Sequence, residues 1–368
     1  MSKEQIYSAD GEIEGIGSAE DEVIGDYPLS TMMIRTESRT IHDVLRRIKQ
    51  EQFIMDPDFQ RDFIWSPVEQ SKLIESVLMR IPLPVFYIAE NEDGTMVVVD
   101  GLQRLSSFWS FVNGRLRLRL PHQPQLDGKN FAELENKFQN RIEDCNLTLY
   151  VVDSKAPERA RLDIFERVNS GVPLTRQQMR NSLYMGQGTR FLKEEAEKKL
   201  FRRATGNSLN WRQMRDREFI NRFCGFELLS LEDYRGDMDL FLAQTLKEMN
   251  KLDPERLRRC SQLLSTGLTN NLNLFGHYAF RKHTRERTGR RAPINASLWD
   301  VMCIGLARYE LFLVRAKETA LLSAFYGLLE NEEFDDAISL GTNQTNKVKR
   351  RFEMAAEMLQ GVFGATST

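Results

Sequence analysis

The chain has 368 residues, a formal net charge of −2, and 28% charged against 41% hydrophobic residues. That is the composition of a globular protein long enough for two domains. No apolar run approaches the roughly eighteen residues that a membrane span needs, and no secretory apolar region follows Met1, so a cytoplasmic protein is expected.

Residues 1–30 hold eight acids (Glu4, Asp10, Glu12, Glu14, Glu20, Asp21, Glu22 and Asp26) against the single base Lys3. With frequent glycine and little apolar periodicity they read as a disordered, solvated acidic tail; the alternative is a segment that mimics nucleic acid and covers a basic surface. Thr40 is placed to cap a helix with Ile41, Val44, Leu45 and Ile48 on one face. Phe53 to Met55 suits a short strand, and Pro57 and Pro67 bracket a loop. Ser66-Pro67-Val68-Glu69 supplies a cap, a first-turn proline and the acid of a capping box. The helix it opens is expected to bury Leu73, Ile74, Val77, Leu78 and Ile81 and to end at Pro82.

Val85 to Ala89 and Met96 to Val99 are strand-like runs joined through Asp93-Gly94. Leu105, Phe108, Trp109 and Val112 then recur at helical spacing. Residues 113–145, polar and carrying Pro121, Pro124 and Gly128, read as an insertion between core elements. Leu147 to Val152 is a strand, Pro157 opens a helix through Val168, Asn169-Ser170-Gly171 ends it, and Thr175 caps the next. From about residue 190 the periodicity is helical, with Leu240, Leu242, Leu246 and Met249 on one helix and further helices at 298–312 and 320–329. The expected divisions are a tail at 1–30, a mixed domain at 31–190 and an all-α domain at 191–368.

The chemistry centres on Asp100-Gly101-Leu102-Gln103-Arg104, a glycine-containing turn between a buried strand and a helix start. Such a turn points unpaired backbone N–H groups outward beside the positive end of the helix dipole. It is a ready anion site, and Arg104 adds a fork of donors suited to phosphate. Asp100 can hold a metal, orient Arg104 or accept a proton. The cysteines Cys145, Cys224, Cys260 and Cys303 are widely spaced free thiols, and only four histidines exist. That argues against zinc and disulfide frameworks, though not against Mg2+, which prefers carboxylate and phosphate oxygens.

Two basic clusters stand out. Arg202, Arg203, Arg212, Arg215, Arg217 and Arg222, interleaved with Trp211 and Phe219, read as a solvated or salt-bridged helix face. Arg281, Lys282, Arg285, Arg287, Arg290 and Arg291 fall in an expected loop, and their charge density points to nucleic acid.

Four ordered blocks carry a family resemblance. Asp100-Gly101-Leu102-Gln103-Arg104 resembles the Asp-Gly-Gln-Gln-Arg signature of the N-terminal domain of GmrSD-type restriction endonucleases. Upstream, Pro57 to Ser66 resembles the family's P-x-Y-Q-R-x-x-x-W block, and Leu73 to Pro84 its L-I-x-S-I-L-x-x-I-P-I-P helix and turn. Downstream, Ile164 to Leu174 and the following Arg180 resemble its F-x-R-x-N-x-G-x-x-L block. The chain departs from the pattern at Phe59, where Tyr is usual, and at Leu102, where the first Gln is usual. The resemblance implies an α+β protein, with a ParB/sulfiredoxin-like N-terminal domain followed by the all-α domain. It also implies that Gln60, Arg61, Gly101, Leu102, Asn169 and Arg180 line a phosphate or nucleotide site around the catalytic candidates Asp100, Gln103 and Arg104, with Asp100 as the metal candidate. An NTP and Mg2+ are the implied ligands. Many members carry a second, H-N-H nuclease domain; His277 and His283 lack its context here, so that domain is expected to be absent.

The expected function is a nucleotide-binding module, active as an NTPase or as a phosphodiesterase or DNA endonuclease if active at all. It would belong to a prokaryotic DNA-restriction or antiviral defence system, with DNA and a nuclease or methyltransferase protein as partners and no membrane. The alternatives are a non-catalytic DNA-binding adaptor that keeps the fold and a small-molecule kinase of the same fold.

Overall fold

The computed structural model describes residues 13–14, 34–55, 65–168, 174–286 and 291–364. It divides into two units. One ends at Leu183; the other begins at Tyr184 and takes in the two-residue strand β1 (Ile13–Glu14). The break precedes the 190/191 division expected from periodicity, for a local reason. The side chain of Gln187 donates to the carbonyls of Met249 and Leu252 at 2.9 and 2.6 Å, and Gly188 N–H to Asn250 Oδ1 at 2.8 Å. These bonds fix residues 187 and 188 within the second unit.

The first unit is built on a five-stranded mixed sheet. Its strands are β2 (Ile34–Thr40), β3 (Phe53–Ile54), β4 (Phe86–Glu90), β5 (Met96–Asp100) and β6 (Asn146–Val152), in the spatial order β2-β6-β4-β5-β3. β2–β6 and β4–β5 are antiparallel, while β6–β4 and β5–β3 are parallel. The edge strand β2 is charged. Arg35 grips Glu90 with two bonds of 2.6 and 2.9 Å, and Glu37 takes Arg35 and Arg39. Charge on an edge strand discourages pairing with other chains.

Among the described residues the helices of this unit are α1 (Ile41–Lys49), α2 (Pro67–Leu78), α3 (Leu102–Val112), α4 (Asn136–Glu143), α5 (Glu158–Val168) and α6 (Arg176–Leu183). Their starts follow the capping signals. Thr40 Oγ1 accepts from Asp43 N, Ser66 and Glu69 form a reciprocal capping box, and Thr175 and Gln178 exchange bonds of 2.7 and 3.2 Å. Ser66 is exposed, so Ser66→Ala tests a cap and little else. Its expected cost is about 1 kcal/mol, read as a lower urea midpoint at unchanged slope.

One core cluster joins Phe86, Ile88, Met96 and Val98 of the sheet to Val44 of α1, Ile74 and Val77 of α2, and Leu105, Phe108 and Phe111 of α3. α5 and α6 also pack on β5. Covered in this way, β5 buries its four apolar residues in succession and leaves only Asp100 half-exposed, as a strand buried on both faces must.

Two expectations change here. Ile81 is 47% exposed and lies beyond the helix, because Arg80 turns left-handed (φ +60°) and stops α2 before Pro82 is reached. Residues 113–145, read as an insertion between core elements, are themselves part of the core: Leu116, Leu118, Leu120, Leu126, Leu134 and Ile142 belong to the core cluster. Their polar neighbours face outward, with Arg117 and Arg119 exposed between buried leucines.

The second unit is helical, as its periodicity predicts. Its helices are α7 (Gln187–Glu197), α8 (Lys199–Ala204), α9 (Arg215–Leu228), α10 (Met238–Met249), α11 (Pro254–Phe275), α12 (Ala296–Leu306), α13 (Leu311–Ala316), α14 (Glu318–Leu329), α15 (Glu332–Ser339) and α16 (Thr345–Phe363). The expected helix at 298–312 is therefore two, α12 and α13. Its one strand among the described residues apart from β1 is β7 (Ile294–Asn295), which pairs in parallel with β1. α12 is buried on all sides, packing on α9, α11 and α16, which marks it as the central helix. All four cysteines are free thiols, three of them buried.

Candidate functional site

Asp100 closes β5 and Leu102 opens α3, so Gly101 must make the corner alone. It does so at φ +101°, ψ 7°, in the left-handed region that glycine enters without steric cost. A Cβ here would overlap Cδ1 of the buried Phe86 ring and approach its Cε1 to 2.8 Å. Gly101 supplies no side-chain cap. Among the described residues no side chain caps the first amides of α3, and an uncapped helix start presents outward N–H groups to an acceptor.

Arg104 is folded back against this corner. Its Nη1 donates to Pro84 O at 2.5 Å; its Nη2 donates to Val85 O at 3.1 Å and to Asp100 Oδ2 at 2.6 Å. The guanidinium lies 4.2 Å from the centre of the Phe86 ring, and the side chain is 11% exposed. Burial pushes the group below its ordinary pKa, while the Asp100 carboxylate opposes the shift. Arg104 thus braces the segment entering β4 against the turn leaving β5. The open fork of donors expected from sequence is already committed in part to these acceptors.

Gln103 turns the other way. Its Oε1 accepts from Trp65 N at 3.4 Å, and Trp65 O accepts from Gln70 Nε2 at 3.0 Å. The end of the upstream block thus reaches the corner through Trp65. Leu102 is partly buried and packs against the apolar cluster. Among the described residues Asp100 is the carboxylate that flanks the corner, and no group of three or more His, Cys, Asp or Glu is arranged there to hold a metal. On the described residues Mg2+ would fit here as a shared ligand, held by Asp100 with phosphate oxygens and water in the remaining positions.

Residues 41–185 match the family model described as GmrSD restriction endonuclease, N-terminal domain. The chain carries a GmrSD N-terminal domain. Comparison with curated proteins and with solved structures returns no match. The match covers the whole run from α1 to α6, with the Asp100–Arg104 corner inside it.

Within the GmrSD domain, Arg180 sits on α6 with no exposure, and its Nε donates to Gln177 Oε1 at 3.1 Å. Gln177 Nε2 in turn reaches Asn181 Oδ1 at 2.8 Å. α6 packs on β5, so Arg180 belongs to the layer behind the strand that leads into the corner. Gln60, Arg61 and Asn169 lie outside the described residues. Phe86 escaped the sequence reading, as did the Pro84 and Val85 carbonyls. Backbone acceptors carry no sequence signature, and one aromatic within an apolar strand reads as core.

Beyond the GmrSD domain, the basic stretch is dispersed. Arg281 is buried, with Nη1 on Ala292 O at 2.5 Å and Nη2 on Thr205 O and Ser208 Oγ at 3.2 and 2.6 Å. Lys282 takes Glu14 at 3.0 Å and Asp335 at 2.9 Å. Arg285 lies over the Tyr326 ring at 5.3 Å, with Glu330 at 4.0 Å. Arg291 donates to Ser208 Oγ at 2.9 Å. Arg287 and Arg290 lie outside the described residues.

Proposed function

We propose that the GmrSD domain is a nucleotide-phosphate-binding module of a prokaryotic restriction or antiviral defence system, taking an NTP with Mg2+. The observation that carries this reading is the left-handed, uncapped Gly101 corner, flanked by Asp100 and Arg104. The amides of Leu102 and Gln103 would meet phosphate oxygens, with the helix dipole adding attraction. Mg2+, when bound, would neutralise phosphate charge and draw on Asp100. Arg104 holds the corner's shape through Pro84 and Val85, and its remaining donors can turn to the ligand.

A second reading is favoured by one feature. Leu102 stands where the family has a glutamine, and it packs into the apolar cluster instead of offering a polar group. That suits an adaptor that binds without turning its ligand over. The two readings part on phosphate release, which the adaptor reading expects to be nil even where an NTP binds.

Thermal melts of the full chain with ATP, GTP, CTP and UTP, each with and without Mg2+, test the proposal. A ligand present at one hundred times its Kd stabilises by about 2.7 kcal/mol. One nucleotide is expected to raise the melting temperature in a Mg2+-dependent way. No shift with any of the four would reject the reading.

A further inference from the structure

We propose that the helical unit carries a binding surface for single-stranded nucleic acid, with Trp211 as the stacking platform and Lys199, Arg202, Arg203, Arg212 and Arg291 as phosphate contacts. It lies in the part of the chain beyond the GmrSD match, so a failure of nucleotide binding at the Gly101 corner leaves it standing.

Lys199, Arg202 and Arg203 follow i, i+3, i+4 spacing on α8, which puts them on one side of the helix. All three are exposed and none makes a side-chain hydrogen bond or an ion pair among the described residues, while Arg202 acts at longer range on the Asp216 carboxyl. Trp211 follows in the turn before α9 and is 61% exposed, whereas Trp299 is wholly buried in α12. The Arg212 guanidinium lies 5.2 Å from the Trp211 ring centre, within cation–π range.

The second basic stretch joins this surface at its far end. Arg291 rests on the turn just after α8, where a side chain at Gly206 would collide with its guanidinium and where Ser208 Oγ receives its Nη2. The same hydroxyl receives buried Arg281, so one serine ties the two stretches together. The near end of that stretch is already neutralised: Lys282 sits between Glu14 and Asp335, and Arg285 between Tyr326 and Glu330. Of these two stretches, the exposed cations with no side-chain hydrogen bond or ion pair among the described residues are therefore Lys199, Arg202 and Arg203 of α8, ahead of Trp211 in the chain, and not those along residues 281–286.

A solvated arginine face would explain the charges alone. It does not explain an exposed indole among them. A duplex hides its base faces, while an unpaired strand offers them to an aromatic ring. The whole chain carries a net charge of −2, so binding here rests on a local patch and should fall steeply with salt.

The test is fluorescence anisotropy of the full chain with a labelled twenty-nucleotide single strand, as DNA and as RNA, and with the DNA duplex. Single strands are expected to bind more tightly than the duplex, and the DNA and RNA arms identify which sugar is preferred. Trp211→Ala should weaken single-strand binding by about 5- to 150-fold per lost base stack. Arg202→Ala with Arg203→Ala should reduce the log–log salt slope by about 1.4. Arg285→Ala should change neither. All these side chains are exposed, so an unchanged circular-dichroism melt confirms that folding is intact. A duplex bound as tightly as a single strand with Trp211→Ala silent, or no binding of any strand in 50 mM salt, would overturn the proposal.

Discussion

Asp300→Ala is expected to destabilise the protein by about 3–5 kcal/mol, the loss typical when one partner of a buried ion pair is removed. Asp300 lies on the central helix α12 with no exposure. It accepts from Arg222 Nε and Nη2 at 2.8 and 2.6 Å and from Arg351 Nη2 at 2.9 Å. Arg222 and Arg351 are themselves buried, and Arg351 also donates to Thr342 O. One carboxylate therefore answers two guanidinium groups. Burial pulls both groups down, and Asp300 opposes it; the carboxylate wins at Arg222, which ends raised, and burial wins at Arg351, which ends lowered. Alanine at 300 leaves two cations in the core without the carboxylate that both of them hydrogen-bond, and with Glu218 acting only at longer range on Arg222. The comparison is Arg350→Ala, which breaks a solvent-screened surface pair with Glu333 and should leave the urea midpoint nearly unchanged. Urea unfolding of the two variants measures the gap; equal midpoints would mean that the buried triad contributes nothing particular.

Gly101→Ala is expected to cost roughly 2–5 kcal/mol, combining a left-handed backbone penalty of about 1–2 with overpacking of about 1–3. The ring it would strike, Phe86, has no exposure and lies in the core cluster under the Arg104 guanidinium, so it has nowhere to move. Gly94→Ala separates the two terms. Gly94 is also left-handed, at φ +81°, but nothing lies within 4 Å of a Cβ placed there. It should show the backbone term alone, about 1 kcal/mol. Similar losses at Gly94 and Gly101 would show that the Phe86 contact is slack.

Much of this was legible because it is local. Thr40, Ser66 and Thr175 announce their helices, and Met96 to Val99 announces a buried strand, through groups a few residues away. The corner at Gly101 was legible for the same reason: a strand and a helix meeting at one residue need glycine there. What escaped depends on partners distant along the chain. Arg222 looks like one more member of a basic helix face until Asp300 and Arg351 close around it. Arg281 reads as a surface cation until Thr205, Ser208 and Ala292 surround it. Arg104 reads as an open clamp because the carbonyls that occupy it belong to Pro84 and Val85. The leucines at 116, 118 and 120 did show an alternation, which the surrounding polar residues masked.

The central claim is that the Gly101 corner binds a nucleotide phosphate with Arg104 in place. Calorimetric titration of the full chain with ATP, GTP, CTP and UTP, each with Mg2+, beside the same titrations of Arg104→Ala, tests it most directly. Losing hydrogen bonds from a charged donor is worth about 1.5–3 kcal/mol, or roughly 10- to 150-fold in Kd. The expected result is saturable one-to-one binding of one of these nucleotides, weakened by that factor in a variant that is still folded at the temperature used. No heat from any of the four, or the same Kd with and without the guanidinium, would contradict it.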